Sequence, residues 1–274
     1  GIDRERTDIM NMQDYINAPD HEQPLDNIVT DGGFCGIFRT IGCIGDSLSS
    51  GEFESKNEDG KVDYHDCFEY SWGQYIARST GCTVYNFSRG GMTASEYWNS
   101  FAEANDYWNP DKLCQAYIIA LGVNDLFGLK QELGSIADIN KEDYNKNAET
   151  FAGYYARIIQ RIKSMQPKAR FFLMTMPREE DSSDTLRAAH AQLLREMTEY
   201  FEYTYLLDFF KYAPVYDSDF KRRYYLAGHM NPAGYLLTAR MTESYMDYII
   251  RHHSEDFAQV GFIGTPYYNV SAKW

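Results

Sequence analysis

Thr40-Ile41-Gly42-Cys43-Ile44-Gly45-Asp46-Ser47-Leu48-Ser49 is the stretch on which the fold turns. Its first half is a short apolar run, too brief for a helix, and it ends in a glycine followed by polar turn residues. Such a run reads as a strand covered on both faces, here Arg39–Gly45. Working outward, similar runs occur at Thr83–Phe87, Ala116–Gly122, Arg170–Met176 and Thr204–Phe209. Helical spacing fills the intervals. Phe151, Tyr154, Tyr155, Ile158, Ile159 and Ile162 form one stripe, and Leu186, Leu193, Leu194, Met197 and Phe201 form another. A last helix opens at Asn231-Pro232, a capping residue followed by proline at the first helical position. It carries Tyr235, Leu236, Ala239, Tyr245 and Ile249 towards His252. Strands alternating with helices specify an α/β fold with a parallel sheet and crossover helices.

The 274 residues suffice for one large covered-sheet domain, and no Pro/Gly/Ser-rich linker divides them. Residues 1–38 are polar and aperiodic apart from points such as Ile9, Met10 and Ile28, and read as an N-terminal arm on a domain spanning 39–274. Two segments exceed an economical connector, Ser50–Phe68 and Leu126–Lys146, and both follow strand ends. The formal charge of −14, from 26 Lys+Arg against 40 Asp+Glu, excludes a nucleic-acid backbone partner and disfavours anionic lipid. Cys35, Cys43, Cys67, Cys82 and Cys114 are odd in number and include no C-x-x-C pair, which reads as free thiols in a reducing compartment. No run approaches a membrane span and none reads as a secretory signal, so the expected location is cytoplasmic.

Three strand ends carry small and polar residues. They are Gly45-Asp46-Ser47-Leu48-Ser49, then Asn86-Phe87-Ser88-Arg89-Gly90-Gly91-Met92-Thr93, then Gly122-Val123-Asn124-Asp125. Parallel strands bring them to one edge of the sheet, where open α/β sheets place ligands. These residue types suit acyl transfer. A serine needs a base to accept its proton, and the tetrahedral oxyanion needs donors such as backbone N–H groups or an asparagine amide. Gly91 allows close backbone approach and Asn124 brings an NH₂. Of the histidines, His21 lies in the arm and His65 in the first long segment. His190 falls on an apolar helical stripe as a satisfied core residue, and His252 and His253 read as solvated. His229, in Gly228-His229-Met230-Asn231-Pro232, precedes the last helix on the same edge as the three turns.

These four blocks, in this order and each after its strand, resemble the SGNH hydrolases, the GDSL-type esterase/lipase family. The resemblance spans roughly residues 39–250. It implies a flavodoxin-like three-layer α/β/α sandwich around a five-stranded parallel sheet, in agreement with the strand count. It also implies Ser47 as nucleophile and His229 as base, with an oxyanion hole of Ser47 N–H, Gly91 N–H and the Asn124 side chain. One departure stands out. The family places an aspartate three residues before the histidine, and here that position is Leu226. Three alternatives follow: a Ser47–His229 dyad oriented by a main-chain carbonyl, a displaced Asp217 or Asp219, or a catalytically dead site.

The implied reaction is hydrolysis of a carboxylic ester through an acyl-enzyme, without metal or organic cofactor. By the resemblance the substrate is an O-acetylated sugar, a short-chain ester or a lysolipid, and the net acidity and aromatic segments favour a small or carbohydrate-linked ester. A metal site finds no His/Asp/Glu cluster with ligand spacing, a phosphate loop finds no G-x-x-x-x-G-K-[ST], and the G-x-S-x-G elbow is absent. A binding module with decayed catalysis and an acyltransferase remain rivals. Phe53, Tyr70, Trp72, Tyr97, Trp98, Trp108 and Phe127 fall within or after the relevant segments, as core residues or as a sugar-facing surface. Oligomeric state is not legible.

Overall fold

All five expected strands join one parallel sheet in the computed structural model, which describes residues 11–271. They are β1 (Thr40–Gly45), β4 (Thr83–Asn86), β5 (Ala116–Ala120), β6 (Arg170–Met174) and β7 (Thr204–Leu207), in the spatial order β4-β1-β5-β6-β7. Each neighbouring pair is parallel. The last four stop one or two residues short of the expected ends. Leu121, Thr175 and Met176 leave the ladder to line the cleft at the carboxyl edge. The chain leaves β1 towards β4 and then returns across it to β5, so the winding direction reverses at β1.

Side chains alternate across this sheet and build two cores. Ile41, Cys43, Ile118 and Phe172 face α1 (Trp72–Thr80) and the last helix, α5 (Pro232–His252), meeting Trp72, Ile76, Tyr235 and Met246. Ile44, Tyr117, Ile119, Phe171 and Leu173 face α2 (Phe151–Met165) and α3 (Asp184–Tyr200), meeting Tyr155, Ile158, Leu194 and Met197. The result is the three-layer α/β/α sandwich. Helix α5 starts where the sequence marks it. The Asn231 side chain accepts from Gly234 N at 2.8 Å and Pro232 occupies the first turn.

The stretch 50–68 differs from the long connector expected of it. It holds an antiparallel hairpin of β2 (Glu52–Lys56) and β3 (Val62–Asp66), in which only Phe53 is buried. Phe53 docks edge-on against Tyr235, ring centroids 5.1 Å apart, and the Tyr235 hydroxyl donates to the Glu52 carbonyl at 2.6 Å. Leu126–Lys146 is a succession of single turns. A second small hairpin, β8 (Tyr225–Leu226) with β9 (His229–Met230), follows α4 (Ser218–Tyr224). No helix among the described residues is long and apolar enough to cross a membrane. All five cysteines are free, and only Cys67 is other than buried.

Residues 11–38 of the expected arm run over the α5 side; Ile9, Met10 and the rest of 1–10, and 272–274 at the other end, lie outside the described residues. One buried ion cluster fastens the arm. Glu22 takes two hydrogen bonds from Arg251, at 2.7 and 2.8 Å, while Arg251 Nε donates to Asp247 at 2.8 Å. His252, expected in solvent, instead meets Glu22 at 2.7 Å because α5 ends against the arm; His253 is exposed. Burial would raise the Glu22 carboxyl, but hydrogen bonds from Arg251, His252 and Asn27 outweigh it and bring the group down to about 2.

A carboxyl depressed in the folded state contributes stability above its unfolded pKa and loses it as pH falls through the folded value. Glu22→Gln is therefore expected to cost roughly 3 kcal/mol near neutrality, a fall of several degrees in Tm. In thermal melts at descending pH, the gap from wild type should narrow below the ordinary glutamate pKa and close towards pH 2. A gap that stays constant down to pH 2 would refute the assignment.

Candidate active site

Strand β1 delivers Gly45 to the carboxyl edge, and one helical turn, Ser47–Ser50, follows at once. Asp46 caps it, accepting from Leu48 N at 3.1 Å, and the Ser49 and Ser50 amides return to the Asp46 carbonyl. The Ser47 amide thus stays outside the turn's own hydrogen bonds. Its hydroxyl stands at the surface of the cleft, because the residue is part-exposed whereas Asp46 and Ser49 are buried. Burial pushes the Asp46 carboxyl up to about 6, against the Leu48 N–H, which pulls it down. Asp46 is a capping group.

The second and third turns are tied together. Asn124 Nδ2 donates to the Met92 carbonyl at 3.2 Å, and Asp125 Oδ2 accepts from Ala94 N at 2.7 Å. Burial pushes Asp125 up to about 6, opposed by that same N–H. Consecutive residues after β5 therefore pin the loop after β4. Gly91 sits in that loop at φ +75° and is exposed. Asn124 lines the cleft with Ser47; Gly91 stands outside its lining. His190 is fully buried, as its stripe predicts. It is only half satisfied, however, with Nε2 against the Leu121 carbonyl at 3.1 Å and Nδ1 unpartnered, and burial takes it down to about 4.

His229 enters on the β8–β9 hairpin. Leu226 is its ladder partner, and Ala227, at φ +56°, and Gly228 make the turn between them. Leu226 is 48% exposed and offers the ring nothing. The expected replacements are not there either. Asp217 caps α4 through Phe220 N at 3.0 Å, and Asp219 pairs with Arg222 and Arg223 on the outer surface. Among the described residues no main-chain carbonyl accepts from the ring. His229 Nδ1 donates to Glu54 Oε1, a residue 175 positions earlier on β2. Period-two geometry explains how it arrives: Phe53 turns into the core, so Glu52 and Glu54 both turn to the opposite face, against the histidine. Gly228 makes the approach possible, since a Cβ there would lie 2.6 Å from Glu54 Oε1. Glu52 Oε2 stands 3.2 Å from Nε2, and no hydrogen-bond partner occupies Nε2 among the described residues. Tyr64, opposite Glu54 in the hairpin register, meets the imidazole edge-on with centroids 6.0 Å apart.

Ser47, His229 and Asn124 share one cavity of about 400 Å³. Met174, Met176, Phe209 and Tyr216 make its apolar end, and one wall is the Arg187–Glu179–Lys221 chain, joined at 3.0 and 2.7 Å. Of the aromatics singled out in the sequence, only Trp72 lines this cavity, while Phe53, Tyr97 and Trp108 are in the cores. No group of three or more His, Cys, Asp or Glu placed to hold a metal occurs among the described residues.

A parallel sandwich with serine, asparagine and histidine gathered at its carboxyl edge defines the SGNH hydrolase class. The chain belongs to the GDSL-like lipase/acylhydrolase family, whose model matches residues 43–237. No curated protein matches it. Among solved structures it is similar to a family two carbohydrate esterase from Clostridium thermocellum in complex with cellohexaose, at TM-score 0.55 and 18% identity, covering 80% of this chain and 65% of that one. The chain thus spans about two thirds of that esterase's length. A family two carbohydrate esterase from Corynascus thermopiles (Myceliophthora fergusii) with a carbohydrate-binding domain matches at TM-score 0.54 and 14% identity, over 77% and 66% of the two chains. A Lactobacillus plantarum protein matches at TM-score 0.54 and 16% identity, over 77% and 97%. At these identities the likeness is one of fold.

Gly228→Ala tests the Glu54 contact. Its φ is not positive, and the added methyl meets only the end of a flexible side chain. The Tm should therefore shift by no more than about 2 °C. The carboxylate should nevertheless leave Nδ1, removing the downfield proton resonance of a carboxylate-bound imidazole N–H. A resonance unchanged from wild type would show that Glu54 is not held there.

Proposed function

We propose that this chain is a serine esterase in which Ser47 is the nucleophile, His229 the base and Glu54 the carboxylate that orients the base. The observation that carries this reading is the His229 Nδ1–Glu54 hydrogen bond, on a ring that shares its cavity with Ser47. A neutral imidazole donating from Nδ1 has its lone pair on Nε2, the tautomer a general base needs. Ser47 Oγ attacks the ester carbonyl carbon and its proton passes to Nε2. The Ser47 amide and an Asn124 N–H meet the oxyanion, with Gly91 N–H as the third donor the family pattern supplies. The bond to the alcohol then breaks, and Nε2 returns the proton to the leaving oxygen. Water repeats the sequence on the acyl-enzyme and frees the acid. No step calls for a metal or organic cofactor.

Glu54 thus does what the family aspartate does from the position occupied here by Leu226. A cavity of about 400 Å³ suits a short acyl chain and the first ring of a sugar. The fold likeness to carbohydrate esterases supports a carbohydrate-linked ester as the substrate class.

Wild type should release a burst of p-nitrophenol from p-nitrophenyl acetate and take up a fluorophosphonate label. Ser47→Ala should abolish both. Glu54→Gln should keep the fold and lower kcat on the order of 10³-fold. A wild type that neither labels nor turns over would reject the esterase reading in favour of a binding module. Full activity in Glu54→Gln would reject the role of Glu54. Acyl transfer to an added sugar, in place of release to water, would mark a transferase.

A further inference from the structure

Glu52 has no task in the reaction as written, yet it stands against the proposed base. Its carboxylate is 3.2 Å from His229 Nε2, and its side chain is 18% exposed. Among the described residues no N–H or O–H donates to it, and no lysine or arginine lies within ion-pair distance. Its root is fixed. The Glu52 carbonyl accepts from the Tyr235 hydroxyl at 2.6 Å, its backbone pairs with Asp66, and the adjacent Phe53 is sunk in the core. The carboxylate rests on Gly90, where a Cβ would lie 2.7 Å from Oε2. It therefore fills the gap between the histidine and the loop that carries Gly91.

That gap faces the alcohol half of the ester. The leaving oxygen must come within hydrogen-bond reach of Nε2, about 2.6–3.2 Å. A hydroxyl on a carbon flanking the esterified one is then within reach of Glu52. An alcohol that brings no donor would strip water from this carboxylate and return nothing, whereas a hydroxyl would satisfy it with a charge-assisted hydrogen bond. Tyr64, 61% exposed and in edge contact with His229, offers an apolar surface on the same side. Such a surface suits the C–H face of a sugar ring.

We propose that Glu52 reads the alcohol half of the substrate by accepting a hydrogen bond from a free hydroxyl on the carbon next to the esterified one. The site then selects partly acylated vicinal polyols such as sugar rings. This rests on the esterase reading of Ser47 and His229 and goes beyond it by naming the selecting group.

The test pairs a mono-acetylated methyl pyranoside with its counterpart lacking the neighbouring hydroxyl. Wild type should prefer the hydroxylated ester by about tenfold or more in kcat/KM, the effect of a hydrogen bond to a charged group. Glu52→Gln and Glu52→Ala should reduce that preference to within about twofold. Absence of preference in wild type overturns the proposal. So does a preference that survives in both variants, or a Glu52-dependent preference for a cationic alcohol over both sugars. Calorimetry on Ser47→Ala, with and without Glu52→Gln, separates the two readings. If wild type hydrolyses neither ester but binding discriminates through Glu52, the esterase reading fails and this one stands. If neither turnover nor binding discriminates, this one fails.

Discussion

A parallel sheet delivers every strand's carboxyl end to the same edge, and everything at this site depends on where β1 lies within it. Flanked by β4 on one side and β5 on the other, β1 is the strand at which the winding reverses. The helices crossing from its neighbours diverge there, which leaves a crevice at its end. Ser47, two residues past β1, stands at that crevice, with the loop after β4 and the turn after β5 as its walls. Asn124 and Asp125 lock the walls to each other through Met92 and Ala94, which fixes the two loops at the edge where Ser47 stands. The two cores keep it rigid, since Phe171 and Phe172 anchor opposite layers from adjacent positions on one strand.

Most of this edge is legible in the residues themselves. Apolar runs of four to seven residues ending in Gly, Asn or Asp can form little else, and the Asn231-Pro232 pair fixes the start of α5 to the residue. Ser47 and His229 are readable because each lies directly after, or directly before, such an element. The carboxylate on His229 is not. In β2 and β3 only Phe53 is buried, and with Val62 and Tyr64 as the other apolar points the alternation is too sparse to mark two strands, so a stretch rich in Glu, Asp, Lys and Gly reads as a loop. Nothing local links residue 54 to residue 229. The signals that exist are indirect: a Glu-x-Glu pair around one phenylalanine, and a glycine at 228 where a side chain would collide with the acid.

Leu226 illustrates the difference between a missing residue and a missing interaction. Position 226 faces His229 across the β8–β9 ladder, but in a two-residue hairpin with Ala227 in the left-handed region its side chain points to solvent. The imidazole is reached instead from the other side, by a strand whose two glutamates flank it at Nδ1 and Nε2. Asp217 and Asp219 are nearer in sequence but are committed to α4, one as its cap and one to its surface arginines. The displaced acid changes more than the numbering. It brings a second carboxylate and the Tyr64 ring with it, and so changes what surrounds the imidazole.

The long span between Glu54 and His229 also has a temporal meaning. Contacts between distant chain segments form late, after loop closure has been overcome, whereas the turn at Ser47 is local to β1. The turn of the proposed nucleophile therefore needs only its own strand, whereas the setting of the proposed base needs segments from both ends of the chain. The base is oriented only when α5 has seated Tyr235 against Phe53 and brought the two hairpins together. On the proposed reading, a partly folded chain would hold Ser47 without its base, and activity would require both hairpins docked against α5.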